Sequence, residues 1–391
     1  MHVATLAIMV SSALAFGDSK PTLALHSGNL GRTGVTSATA PGEPKGLKWE
    51  TYVGNSRILP LSLAEGKLWV AQDGQALIQG LDPSSGKSVF QYKAEQNLVS
   101  APLCASGILY FGTKRFGLAG GSAKFFGVDI QTQKIKLKDN YSFMVEIPTP
   151  VIYRDWLYRV GSNFLGNTQT ILSNKSGGEV WSEQIGPLMP SIPATDGTRI
   201  FYVLHQKWGS GPTGAFYNLN QTSTWLSAQD VDTGSIQWVF AAKSRFMFPV
   251  IFHKNVLIGT QDSLVALEQE KGSVTWKFEE KGGNFTPPAI SENIAVVGTQ
   301  SGWVYGVNVE IAKLLWKIKV DGEVPNQPTI AGLTAFIPVA MPGGSGMVLA
   351  LDIQTGKEIW RLKCDSPATS ILVNSDGIIF GTSSGKVVAY Q

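Results

Sequence analysis

One pattern recurs down this chain and limits its folding more than any bulk property does. It consists of an Asp-like position, a turn with glycine, and a bulky residue four positions after that glycine. The clearest copy runs Asp352, Gly356, Trp360. Related copies run from Asp82 through Gly86 to Phe90, from Asp230 through Gly234 to Trp238, and from Glu268 through Gly272 to Trp276, and degenerate ones end at Leu137, Trp181 and Trp316. With Trp49 as the first anchor, the intervals are 41, 47, 44, 57, 38, 40 and 44 residues. A period of this size marks units that cannot bury an apolar face alone and do so by stacking on copies of themselves.

Within a period the signals keep a fixed order, as in residues 288–319. There Pro288, Ala289 and Ile290 precede a Ser-Glu-Asn turn, and the runs 294–298, 303–308 and 313–319 follow, with Gly302 between the first two. Short β-rich runs between Gly, Asn and Ser clusters predict a four-stranded antiparallel meander, here lettered A to D from the inside out. A composition of 43 glycines and only 16% charged residues agrees with an all-β chain. Residues 368–391 supply A, B and C strands and stop, whereas residues 47–52 read as a D strand with nothing before it. Joined, the two predict an eight-bladed β-propeller whose N-terminal strand completes the last blade and leaves no open edge. Trp49, Phe90, Leu137, Trp181, Trp238, Trp276, Trp316 and Trp360 are then the structural anchors that fill the gaps between neighbouring blades.

Residues 1–15 are apolar and uncharged and end Ser11-Ser12-Ala13-Leu14-Ala15, which reads as a signal peptide with its cleavage site. A lead-in, residues 16–46, belongs to no blade on this reading, and residues 47–391 form the propeller. No other run reaches the ~20 apolar residues of a membrane span. The expectation is a soluble monomer, secreted, periplasmic or in the lumen of the secretory pathway. A net charge of +3 without a Lys/Arg run excludes nucleic acid as the expected partner. Cys104 and Cys364 lack the spacing of a metal or redox motif and read as free thiols, Cys364 in the linker entering blade 8. Sequons at Asn140, Asn174, Asn220 and Asn284 matter only in a eukaryotic secretory pathway.

The stretch from Asp352 to Trp360 resembles the tryptophan-docking motif of the PQQ-like, or quinoprotein-type, β-propeller repeat family. Residues 25–34, Leu-His-Ser-Gly-Asn-Leu-Gly-Arg-Thr-Gly, resemble the lead-in of its non-enzymatic, BamB-like members. The resemblance covers residues 25–391. It implies either a binding scaffold or, as the alternative, a PQQ-dependent dehydrogenase with calcium at the top of the channel. The dehydrogenases often carry an adjacent Cys-Cys pair, and this chain has none. Asp139, Glu146, Glu279, Glu280, Asp321 and Glu323 are the acids placed on the top face, where oxygen ligands for calcium would have to come from. No nucleophile elbow, zinc-binding His pair or P-loop occurs, His205 and His253 have no evident partner, and neither catalytic residues nor a metal or cofactor is expected.

Alternating strand directions put all B–C and D–A connections on one face, the top. Four B–C connections are long, at residues 113–123, 161–167, 205–224 and 339–346, and three of them fall on consecutive blades, 2 to 4. Extended loops on one rim of a regular scaffold are where such folds carry specificity. They hold Arg115, Phe116, Trp208 and Tyr217, while the D–A connections add Arg57, Phe143, Met144, Leu188, Met189, Arg245, Phe246 and Met247. Arg, Trp and Tyr dominate binding hot spots and Met adapts to varied partners. Arg57, Arg115, Phe116, Trp208, Tyr217, Arg245, Phe246 and Met247 are accordingly the candidate contacts to a protein or peptide partner.

Overall fold

The computed structural model describes residues 29, 32, 34–115, 122–142, 144–163, 167–174, 177–206, 224–242, 244, 246–374 and 376–391. The signal-peptide reading therefore lies outside the described residues. The chain is all-β, with eight antiparallel four-stranded blades in a ring. The A strands of blades 1 to 8 begin at Ser62, Leu103, Val151, Ala194, Val250, Ala289, Thr329 and Ala368. Ring closure is by Leu47–Tyr52, which pairs with Lys386–Tyr390 and sets Trp49 opposite Ala389. Among the described residues one 3-10 turn, Pro342–Gly344, is the only helical element, and no helix is long and apolar enough to cross a membrane.

Stacking explains why the repeat needs its anchor. Buried apolar side chains fall into eight clusters among the described residues, one at each junction between neighbouring blades. At four junctions the anchor tryptophan of one blade lies over the turn glycine of the next. Trp49 meets Gly86, Trp181 meets Gly234, Trp238 meets Gly272 and Trp316 meets Gly356, and a Cβ on any of these glycines would enter the indole. All four glycines have φ near +70°, a conformation that costs other residues energy. The indole N–H then donates to the same turn, from Trp49 to the Pro83 carbonyl at 3.1 Å and from Trp316 to that of Ile353 at 2.8 Å. Leu137 covers Gly177 in the same way but has no donor. Blade 6 breaks the pattern, because Ala312 takes the positive φ (53°) and Trp276 Nε1 finds no acceptor.

A second signal went unread in the sequence. Pro60, Pro102, Pro150, Pro193, Pro249, Pro288, Pro328 and Pro367 each stand one or two residues before an A strand. A strands form the inner edges of the blades, and proline carries no N–H to leave unpaired on an edge.

Three expectations need correction. Cys364 is the last residue of the blade 7 D strand, Glu358–Cys364, and not part of a linker, because the strand keeps pairing as far as Gly346. Both cysteines are free, and burial pushes each thiol up to about 12, too high for a nucleophile at neutral pH. His205 lies in a strand, paired opposite Thr224, and not in a loop. The lead-in is not outside the ring: Val35–Thr36 pairs in parallel with the A strand of blade 7, and Ala38 and Ala40 pack into the junction of blades 7 and 8.

Candidate functional site

Long B–C connections on blades 2 to 4 prove to be raised β-hairpins. Ile108–Arg115 and Ser122–Asp129 stay paired up to Arg115 opposite Ser122, and Trp156–Asn163 with Asn167–Asn174 does the same in blade 3. In blade 4, Arg199–Gln206 pairs with Thr224–Asp230, and the tip between them lies outside the described residues. B strands in these blades have eight residues, against five in blades 1, 5 and 6.

Each raised B strand also gains a strand from the preceding D–A connection. Asn97–Leu98 pairs with Lys114 and Thr113, and Met144–Glu146 with Asn163 and Ser162. Blade 3's D strand, Glu179–Pro190, runs on until Leu188, Met189 and Pro190 face Gln206, His205 and Leu204. Met144, Leu188 and Met189 therefore stand in strands and not in loops, because these connections follow the raised hairpins and satisfy their backbone groups by pairing. In blades 1, 6 and 7 the same position holds a single bridge, such as Glu323 with Ala340.

Of the candidate contacts, Arg57 and Arg115 are exposed on this face and Met247 is partly so, at 37%. Phe246 is not available to a partner. It is buried and stacks on Phe240 at 6.0 Å in the junction of blades 4 and 5, since the apolar ring gains more from that core than from the rim. Phe116, Trp208, Tyr217 and Arg245, like Phe143, lie outside the described residues. Under the raised tier, the junction of blades 2 and 3 holds a buried cation. Arg159 pairs with Asp139 and lies over the Phe125 ring at 5.2 Å, and burial lowers its pKa to about 10. A second top-face feature is a groove of 720 Å³ between blades 6 and 7, bordered by Gln300, Lys319, Asp321, Glu323 and Met341.

The lead-in motif carries a residue to which the sequence assigned no role. Arg32 is buried, with Nε donating to the Pro193 carbonyl at 3.0 Å and Nη2 to that of Pro150 at 3.5 Å. Those two carbonyls belong to blades 4 and 3, whereas Gln327 of the connection into blade 7 donates to the Arg32 carbonyl at 2.8 Å. Of the acids placed on the top face, Asp139 is paired with Arg159, Glu280 is 3.1 Å from Lys317, Glu279 closes the blade 5 D strand, Asp321 and Glu323 border the groove between blades 6 and 7, and the Glu146 side chain lies outside the description. Among the described residues no three metal-ligating side chains converge.

A family model described as outer membrane protein assembly factor BamB matches residues 222–371 and 296–391. The BamB of Moranella endobia is 24% identical over 60% of this chain and 68% of its own length, and that of Yersinia pestis is 23% identical over 35% of this chain and 38% of its own. Over residues 222–391 the chain is thus similar to the BamB-like members of the PQQ-like β-propeller repeat family. Solved propellers of the same fold include BamB from Moraxella catarrhalis, with a TM-score of 0.61, 16% identity, and 88% of this chain and 99% of that one covered. The quinohemoprotein alcohol dehydrogenase of Comamonas testosteroni reaches a TM-score of 0.71 at 10% identity, over 94% of this chain and 80% of its own. At these identities the two structures speak for the fold alone. The chain departs from uniform repeats where its hairpins rise, and the family model matches mainly the regular blades that follow.

Proposed function

We propose that this protein is a non-catalytic, extracytoplasmic binding scaffold that holds a protein or peptide partner against the raised hairpins of blades 2 to 4. The observation that carries this reading is the tier itself: three consecutive blades extend both hairpin strands and recruit an extra strand, on one face only. Backbone pairing gives those hairpins the rigidity that a binding surface needs to avoid an ordering cost on association. Relatives named as outer membrane protein assembly factors support a scaffold over an enzyme. Arg115, Phe116, Trp208, Tyr217, Arg245, Arg57 and Met247 are the proposed contacts.

The test is a triple variant, Arg115→Ala, Trp208→Ala and Arg245→Ala, compared with the parent by cross-linking in an envelope extract of the source organism. A partner captured by the parent and lost by the variant, at an unchanged melting temperature, is the expected result. Retention of every partner at unchanged affinity would remove the top face as the site. Purified protein mixed with pyrroloquinoline quinone and calcium should gain neither visible absorbance nor dye-linked alcohol oxidation, and a gain of both would replace the scaffold by the dehydrogenase reading.

A further inference from the structure

We propose that the segment through Arg32, Gly34 and Val35–Thr36 is a detachable strap that closes the central channel and opens without unfolding the ring. It crosses between opposite sides of the propeller. Arg32 binds the carbonyls of Pro150 and Pro193 in blades 3 and 4, Gly34 packs between Ala289 of blade 6 and Pro328 of blade 7, and Val35–Thr36 adds a parallel strand to the inner edge of blade 7. The space inside blades 3, 4, 6 and 7 is thereby entered by Arg32, Gly34 and Val35–Thr36.

The strap is held much more weakly than the blades it touches. Its ladder is two residues long, against four or more in every B–C pairing. Arg32 adopts φ +58°, a strained conformation for a residue with a side chain. Its charge is buried with carbonyl partners and no carboxylate, and burial alone lowers its pKa to about 10. On opening, the guanidinium regains water and the strain is released, so both costs favour the open form. Closure rests on the carbonyl contacts, the Gln327 hydrogen bond, the packing of Val35, and the short ladder of Val35–Thr36 with its flanking bond from the Ile330 N–H to the Gly34 carbonyl, 2.8 Å. Low-stability elements of this kind open locally while the core stays folded. The proposal is independent of the top-face reading, because it concerns the channel and not the hairpins.

Ile330 supplies a built-in reporter. Its amide points at the strap, whereas Ala331 pairs with Thr334 inside blade 7. Residue-resolved hydrogen exchange on the full mature chain should show Ile330 exchanging at least tenfold faster than Ala331, with a rate insensitive to low denaturant. Identical rates with the same denaturant dependence would mean that the strap is an integral part of the ring and would overturn the proposal. The variant Gly34→Ala sharpens the test, since the added Cβ meets Ala289 Cβ at 2.8 Å and the Pro328 oxygen at 2.9 Å, at φ +69°. We expect Ile330 to lose protection by a further tenfold or more with Ala331 unchanged. Equal loss at both amides, or none at Ile330, would refute the strap.

Discussion

Blades 2 to 4 and blades 5 to 8 are built from the same repeat and solve its packing problem differently. In the second group three of the four blades keep five- or six-residue B and C strands, blade 7 having seven, and Trp316 docks on Gly356 at the junction of blades 6 and 7. In the first group the hairpins rise by about three residues, Leu137 replaces one tryptophan, and an ion pair between Arg159 and Asp139 sits between blades 2 and 3. Regular blades are committed to stability because their anchors use the whole junction. Raised blades carry backbone beyond what the ring needs, and that excess is the surface proposed above to meet a partner.

The most severe way to break the comparison is to open the regular half. Removing residues 1–53 takes Leu47–Tyr52 from blade 8 and Trp49 from its junction, and the cooperative melt should be lost. Removing residues 1–36 alone leaves that strand paired and should only lower the melting temperature. Loss of Trp49 alone accounts for about 3–5 kcal/mol. Equal melting temperatures for the two truncations, near that of the full mature chain, would show that the ring closes without its N-terminal strand.

Single anchors come next. Trp316→Ala should cost about 3–5 kcal/mol in denaturant unfolding, because it empties a buried junction and strands the Ile353 carbonyl. Leu137→Ala should cost less, about 2 kcal/mol, having fewer atoms to lose and no hydrogen bond. If the two cost the same, the junction of blades 2 and 3 is as tightly committed as the regular ones.

The ion pair sharpens the same point from the electrostatic side. Asp139→Asn removes one of the groups that compensate the buried Arg159 charge, which also feels Glu179, and should cost about 2 kcal/mol, below the ~3–5 kcal/mol of a fully enclosed pair because Asp139 keeps 32% exposure. Arg159→Met combined with Asp139→Leu should restore most of that stability. A double-mutant cycle on unfolding midpoints measures the coupling, and additive costs would mean that the pair contributes nothing. The smallest effect is expected inside the regular half. Ala312→Gly relieves a positive φ and should raise stability by about 1 kcal/mol, whereas Gly356→Ala should be destabilising, since its Cβ enters the Trp316 ring. A neutral Ala312→Gly would show that blade 6 has already absorbed the strain.

Much of this fold was legible because the anchor and the turn glycine are local in sequence. Asp352 to Trp360 spans nine residues, and the number of such copies fixes the number of blades once the split between Leu47–Tyr52 and residues 368–391 is noticed. The eight prolines before the A strands were equally legible, as a periodic signal, and were missed only because they sit at the variable joint between repeats. The site was legible as excess length on blades 2 to 4, which local spacing reports.

What the sequence determined by itself was thus the repeat, its strand order, the closure of the ring and the face on which extra chain accumulates, since each follows from short-range periodicity and from the need to bury two faces of every blade. Only the tertiary structure decided where those extra residues stand. Phe246 turns into a junction, Met144, Leu188 and Met189 are taken up by ladders, and Arg32 reaches carbonyls 118 and 161 residues away. The physical reason is that a side chain's exposure and a backbone group's partner are set by what lies across the gap. In a ring, what lies across the gap is distant in sequence.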